Sequence, residues 1–157
     1  MVLVAEDSRL SVEVIKAVRA PVAPAVVRAV LVRAASLPEV LARLPERRST
    51  IAVRITGDRE LRRLNTEYAG KDAVTDVLSF VGSGEHLGDL AISWAMVVRQ
   101  AAEFGHAPVT EFGLLCVHGM LHLLGWDHAT PAERSEMARL TRAALKSSAM
   151  KLAPGRL

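Results

Sequence analysis

Cysteine is nearly absent from this chain of 157 residues, which contains only Cys116. A lone thiol excludes an intrachain disulfide and suits a reducing compartment. Aromatics make up only 4% of the residues, so the interior must be built mainly from Leu, Val and Ala. Long uncharged apolar runs are missing as well. The most apolar stretch, Ala20 to Leu37, contains Pro21, Pro24, Arg28 and Arg33, which excludes a membrane span. The N-terminus turns acidic by Glu6 and carries no basic leader before a long apolar segment, so no secretory signal is expected. Neither an internal repeat nor a low-complexity segment occurs. What remains is globular composition, half hydrophobic and a quarter charged, at a length that suits one domain with a proper core. The expectation is a single soluble domain over residues 1–157, located in the cytoplasm.

The net charge of +3 is small, but its distribution is uneven. Residues 84–133 hold one basic side chain, Arg99, against six acidic ones, whereas residues 134–157 hold six basic and one acidic. A basic tail beside an acidic middle suits a polyanion approached by the flanks. A solvated helix face would give the same pattern.

Apolar spacing places elements along the chain. Leu3 to Ala5 is a short run of edge-strand type. Ala25 to Leu44 has helical periodicity, divided near Pro38 and stopped by Pro45. Ile51, Val53 and Ile55 alternate with Ala52, Arg54 and Thr56 as in a half-buried strand. Asp58 is placed as the cap of a helix through Tyr68, with Leu61 and Leu64 inside, and Gly70 ends it. Asp76 to Val81 and Leu87 to Ile92 read as strands of a hairpin around Gly82-Ser83-Gly84. Ser93 caps a helix to about Phe104, with Met96 and Val97 on its core side, and another helix runs from about Val109 to Leu124. Thr130-Pro131-Ala132-Glu133 is the clearest start signal, for a helix reaching about Lys146. The order predicts an α+β domain: a small mixed sheet of three to four strands packed with about five helices. The tail, 148–157, is expected to be disordered.

Three of the five histidines fall within eleven residues, His118-Gly-Met-Leu-His122-Leu-Leu-Gly125-Trp-Asp-His128. Histidines at i and i+4 lie about 40° apart around a helix and one turn apart along it, so both can address one ion. Gly125 can reverse the chain and bring His128 back over the same turn. Three imidazoles with an open fourth position describe a catalytic zinc site, although the same donors accept nickel, cobalt or copper. Metzincin proteases share this spacing but place a glutamate after the first histidine as general base. Gly119 stands there in this chain, which favours a phosphodiester hydrolase over a peptidase. Asp127 is either a base or, more readily, an orienter of a ligating histidine. His86 and His106 are read as surface residues, and Cys116, about 200° around the helix from His118, as core. Trp126 can stack a base but packs more simply beside its loop.

The string from His118 to His128 closely resembles a signature of the YbeY family of bacterial metallo-endoribonucleases. A second stretch, Leu64-Asn65-Thr-Glu-Tyr68-Ala-Gly70-Lys71-Asp72-Ala-Val-Thr75-Asp76-Val77-Leu78-Ser79-Phe80, resembles the other hallmark of that family, and Gly88-Asp89-Leu90 matches its following strand. The similarity covers about 61–128. It implies one zinc ion on His118, His122 and His128, and cleavage of single-stranded RNA. It also implies a role in 16S ribosomal RNA 3′-end maturation and ribosome quality control on the 30S or 70S particle. One position departs: many members carry an arginine where this chain has Ala69. An arginine offers a bidentate phosphate contact that alanine cannot. Lys71 is the nearest substitute for substrate binding, with Arg62 and Arg63 a turn or two earlier. Thr75, Asp76 and Ser79 either line an RNA groove or, for the last two, serve as turn and strand-end hydrogen bonders. Two other functions remain to be weighed. One is a zinc metallopeptidase; the other is a non-catalytic ribosome assembly factor in which zinc holds the last two helices together.

Overall fold

The computed structural model describes residues 9–157 and contains four strands and six helices among them. In chain order these are β1 (Leu10–Lys16), α1 (Pro24–Ala35), α2 (Pro38–Arg43), β2 (Ser49–Thr56), α3 (Asp58–Ala69), β3 (Val77–Val81), β4 (His86–Ser93), α4 (Trp94–Phe104), α5 (Pro108–Leu123) and α6 (Pro131–Ser147). The sheet order is β1-β2-β4-β3, with β1–β2 and β2–β4 parallel and the β3–β4 hairpin antiparallel. This is the mixed α+β architecture expected.

Proline and capping chemistry set the helix boundaries. Pro24, Pro38, Pro108 and Pro131 each occupy a first helical position, where a missing N–H costs nothing. Thr130 and Glu133 form the capping box reciprocally, at 3.2 and 3.1 Å. The Ser93 hydroxyl accepts from the Met96 amide at 3.2 Å and donates to Asp58 at 2.6 Å. Asp58 therefore does not cap α3. Gly57 holds that position, and the Asp58 carboxylate is the first-turn anchor for Ser93 and for Arg99, 2.7 Å away.

Several expectations are corrected by packing. Leu3 to Ala5 lies outside the described residues, and the first observed strand is β1, whose Leu10 and Val12 enter the core. β2 is central rather than half-buried: Ala52 and Thr56 are buried along with Ile51, Val53 and Ile55. Successive side chains alternate faces. Val53 and Leu90 therefore join the main core with α1 and α5, while Ala52 and Ala91 line a groove under Leu64 and Tyr68 of α3. That groove leaves Leu64 only half-buried, as is Met96, whereas Leu61 and Val97 are fully enclosed.

The segment 148–157 forms no helix or strand, but it is packed rather than loose. Met150 and Leu152 lie against the core. Arg156 makes a bidentate pair with Glu111 at 3.0 and 2.7 Å and stacks on Phe104. His106 is not a surface residue either. Its side chain is 4% exposed; Nε2 meets Glu111 at 2.8 Å and Nδ1 accepts the Ala153 amide at 3.0 Å. A carboxylate with no solvent contact requires such partners, and it gathers both the histidine and the tail around α5.

Candidate metal centre

Helix α5 is apolar nearly all round because it runs through the middle of the molecule. From Thr110 to Leu123 every residue is buried except His118 and His122. Cys116 points into the core, where burial pushes its thiol pKa far up, so it is inert at neutral pH. The two histidines thus open the only window on this stretch of helix, at its C-terminal end. Gly125 adopts φ +95°, a left-handed backbone that reverses the chain. The Trp126 amide then donates to the Leu121 carbonyl at 3.0 Å. This turn returns His128 to the window.

The three rings form one cluster. Nε2 of His118 and Nε2 of His122 are 3.1 Å apart, and the ring centroids of the trio are separated by 4.6, 4.8 and 5.6 Å. One donor nitrogen from each ring lies within 4.8 Å of the others. Two nitrogens bound at about 2.1 Å to one ion along tetrahedral directions stand about 3.4 Å apart, close to the His118–His122 spacing, so the donor set fits a divalent metal ion. Burial, reinforced by the neighbouring His122 and His128, holds the His118 pKa down to about 4, while Asp76 opposes this weakly. His122 is lowered by burial and by His128. Neutral rings are the ligating form.

The surrounding residues sort into fixed roles. Asp127 accepts the His128 amide at 2.7 Å, so it orders the backbone of the third histidine rather than its ring. Ser79 donates to the Gly119 carbonyl at 3.4 Å and ties β3 to α5. Asp76 accepts from the Val77 amide at 2.7 Å and from Gln100 at 3.3 Å, as expected of a strand-end hydrogen bonder. Trp126 is 5% exposed, with the Arg43 guanidinium 3.6 Å above its ring, so its face is not available to a base. His86 stays at the surface between Thr50 and Asp89. Ala69 and Lys71 are exposed on and after α3. Arg62 and Arg63 are occupied by Asp72 and Glu67.

Gly119 decides against the protease arrangement. A Cβ there would meet Leu90 Cδ2 at 2.7 Å and Ser79 Oγ at 3.3 Å, so the position faces the sheet and has no room for a glutamate. Gly119→Ala is expected to cost about 1–3 kcal/mol through overpacking against a fully buried leucine. Thermal melts should register it, and a wild-type melting curve for the variant would contradict the packing described.

The model of the family described as Endoribonuclease YbeY matches residues 22–149. This chain belongs to the YbeY family. Curated relatives bearing that name include proteins from Chloroflexus aurantiacus, 49% identical over 100 aligned positions covering 55% of this chain and 65% of that protein. The Solibacter usitatus relative is 55% identical, covering 55% of this chain and 57% of that protein. One from Heliobacterium modesticaldum is 40% identical over 64% of this chain and 70% of its own length. The chain thus spans 65% of the Chloroflexus relative and 57% of the Solibacter one, less than two thirds of either. A solution structure of a Thermotoga maritima protein shares the fold, with a TM-score of 0.59 over 94% of this chain and 100% of that one, at 18% identity.

Two residues that support α5 and the turn after it in this YbeY chain were not anticipated from the sequence. Glu111 carried a usable signal, an acidic side chain inside the apolar face of α5. Arg43 carried none, since it reaches the Leu124 carbonyl from 81 positions away.

Proposed function

We propose that this chain is a zinc-dependent endoribonuclease that cleaves single-stranded RNA and matures the 3′ end of 16S ribosomal RNA on the 30S or 70S ribosome in the cytoplasm. The observation that carries the reading is a buried helix opened only by His118 and His122, with His128 folded back onto them, in a chain of the YbeY family. No helix among the described residues is long and apolar enough to cross a membrane.

His118, His122 and His128 would hold the ion and leave a position open. When bound, zinc supplies Lewis acidity toward a phosphodiester oxygen and toward water. The chain's own part is to keep the His118 and His122 rings neutral by burial and to hold the His128 backbone through Asp127. Lys71, on the loop leading into β3, offers the substrate a cation on that side.

Ala69 favours a second reading, a non-catalytic assembly factor in which the ion pins α6 to α5. The two separate in one experiment on a labelled single-stranded RNA carrying the 3′ precursor sequence. Protein holding one zinc per chain should cut it, and chelation should stop the cutting. RNA binding without cleavage by zinc-loaded protein would instead support the assembly role, as would a large fall in melting temperature on chelation.

A further inference from the structure

The loop that carries the third histidine is held at both ends by arginines. Arg43, at the end of α2, donates Nη1 to the Leu124 carbonyl at 3.3 Å. Arg134, in the first turns of α6, donates Nη1 to the carbonyls of His128 and Ala129 at 3.3 and 3.5 Å. Both side chains are exposed, and among the described residues neither has a carboxylate partner or a hydrogen bond from Nε or Nη2. Arg9, Arg28 and Arg142 also donate to carbonyls, but away from the histidine loop. Arg54, Arg62, Arg63, Arg99, Arg139 and Arg156 are each paired with a carboxylate.

A guanidinium that meets carbonyls, and for Arg43 also the Trp126 ring, is not neutralised by a carboxylate. It also keeps an unused edge whose fork matches two phosphate oxygens. Arg43 and Arg134 present two such edges, one on each side of the segment Leu124–Ala129, next to the histidine cluster. We propose that they form a two-point phosphate clamp. A single-stranded RNA would seat successive backbone phosphates on them and so cross the histidine loop. The contacts are to phosphate alone, so they position the strand without reading its sequence. This inference rests on the endoribonuclease reading and names the residues that orient its substrate.

The test is anisotropy of a fluorescent single-stranded RNA of about one dozen nucleotides, titrated with chelated protein over a range of sodium chloride. Chelation separates strand binding from chemistry. For single strands each neutralised phosphate contributes about 0.7 to the slope of log affinity against log salt. Arg43→Gln and Arg134→Gln should each reduce the slope by about 0.7 and the double variant by about 1.4. Arg33→Gln, on the exposed side of α1, should leave it unchanged. Arg43→Lys and Arg134→Lys should keep the slope and weaken binding, because charge is retained and the fork is lost.

An unchanged slope in a double variant that melts like the wild type would overturn the clamp. So would an equal reduction in Arg33→Gln. If the glutamine variants fail to fold, the lysine pair decides: lysine variants that bind as tightly as wild type exclude bidentate contacts. Wild-type protein that cuts RNA while the double variant binds normally refutes the clamp alone. Wild-type protein that neither binds nor cuts refutes the endoribonuclease reading and the clamp with it.

Discussion

His118→Ala should abolish RNA cleavage and prevent the protein from retaining zinc, while the metal-free variant should melt close to the metal-free wild type. The asymmetry follows from position. His118 belongs to the core helix, but its ring faces the window beside His122 and His128, so truncation removes a donor without opening a hole among packed leucines. Two imidazoles remain, which is fewer than the three protein ligands of a catalytic zinc site. The loss of activity should exceed the 10–100-fold, approximately, that changes outside the ligand shell cost. Metal content by atomic absorption and cleavage of labelled RNA measure the two effects. The metal-free melts should differ by no more than about 2–4 °C, the equivalent of roughly 1 kcal/mol at this size. Cleavage that survives in this variant, or that ignores chelators in the wild type, would remove the histidines from the chemistry.

Arg156→Ala should produce the largest loss of stability of any single charge removal among the described residues. Glu111 has no exposed surface, and Arg156 is its only permanently charged partner among the described residues, with His106 and Gln100 completing the shell. Burial pushes the Glu111 carboxyl up, but Arg156, His106 and Gln100 outweigh it and hold the pKa below the usual carboxylate value. Breaking such a buried pair costs about 3–5 kcal/mol, because a charge is left enclosed and uncompensated. For a domain of this size that is a fall of about 10 °C in Tm. Arg139→Ala is the contrast. Its pair with Glu39 is exposed on both sides and is worth less than about 1 kcal/mol.

The pH dependence of the same pair has a definite sign. A depressed folded pKa gives stability that is full above the unfolded value, near about 4.3, and is lost as pH falls toward the folded value. In Arg156→Ala burial prevails, so protonation relieves the variant instead. The gap between wild type and variant, read by urea denaturation, should therefore be widest at neutral pH and narrow in acid. A gap independent of pH would mean that Glu111 is not the group responsible.

The site was far more legible in the sequence than its supports. Histidine spacing and one glycine suffice to describe the cluster, because both the i, i+4 relation and the reversal after Gly125 are local. Helix starts were legible for the same reason: Pro38, Pro131 and the Thr130–Glu133 box act within four residues. What escaped depends on distant partners. His106 resembled an isolated surface residue until Glu111 and Ala153 closed around it. The tail resembled a frayed end because its anchor, Glu111, is 45 positions from Arg156. Asp58 carried a sound capping signal, but Ser93 and Arg99 offered its carboxylate stronger partners. β1 went unread although Leu10, Val12 and Val14 alternate, since a short strand declares itself only once β2 lies beside it.

The enclosure of α5 also limits how this protein can adapt to what it binds. A helix touched on every side cannot rotate or slide without disturbing the whole interior, so the spacing between His118 and His122 is fixed before any ligand arrives. Accommodation has to come from the periphery, where Arg43, the turn after Gly125 and the first turns of α6 meet solvent. Divergence in substrate preference among relatives should accordingly collect at the positions equivalent to 43–48 and 127–134. The helix itself should tolerate only changes that preserve its volume.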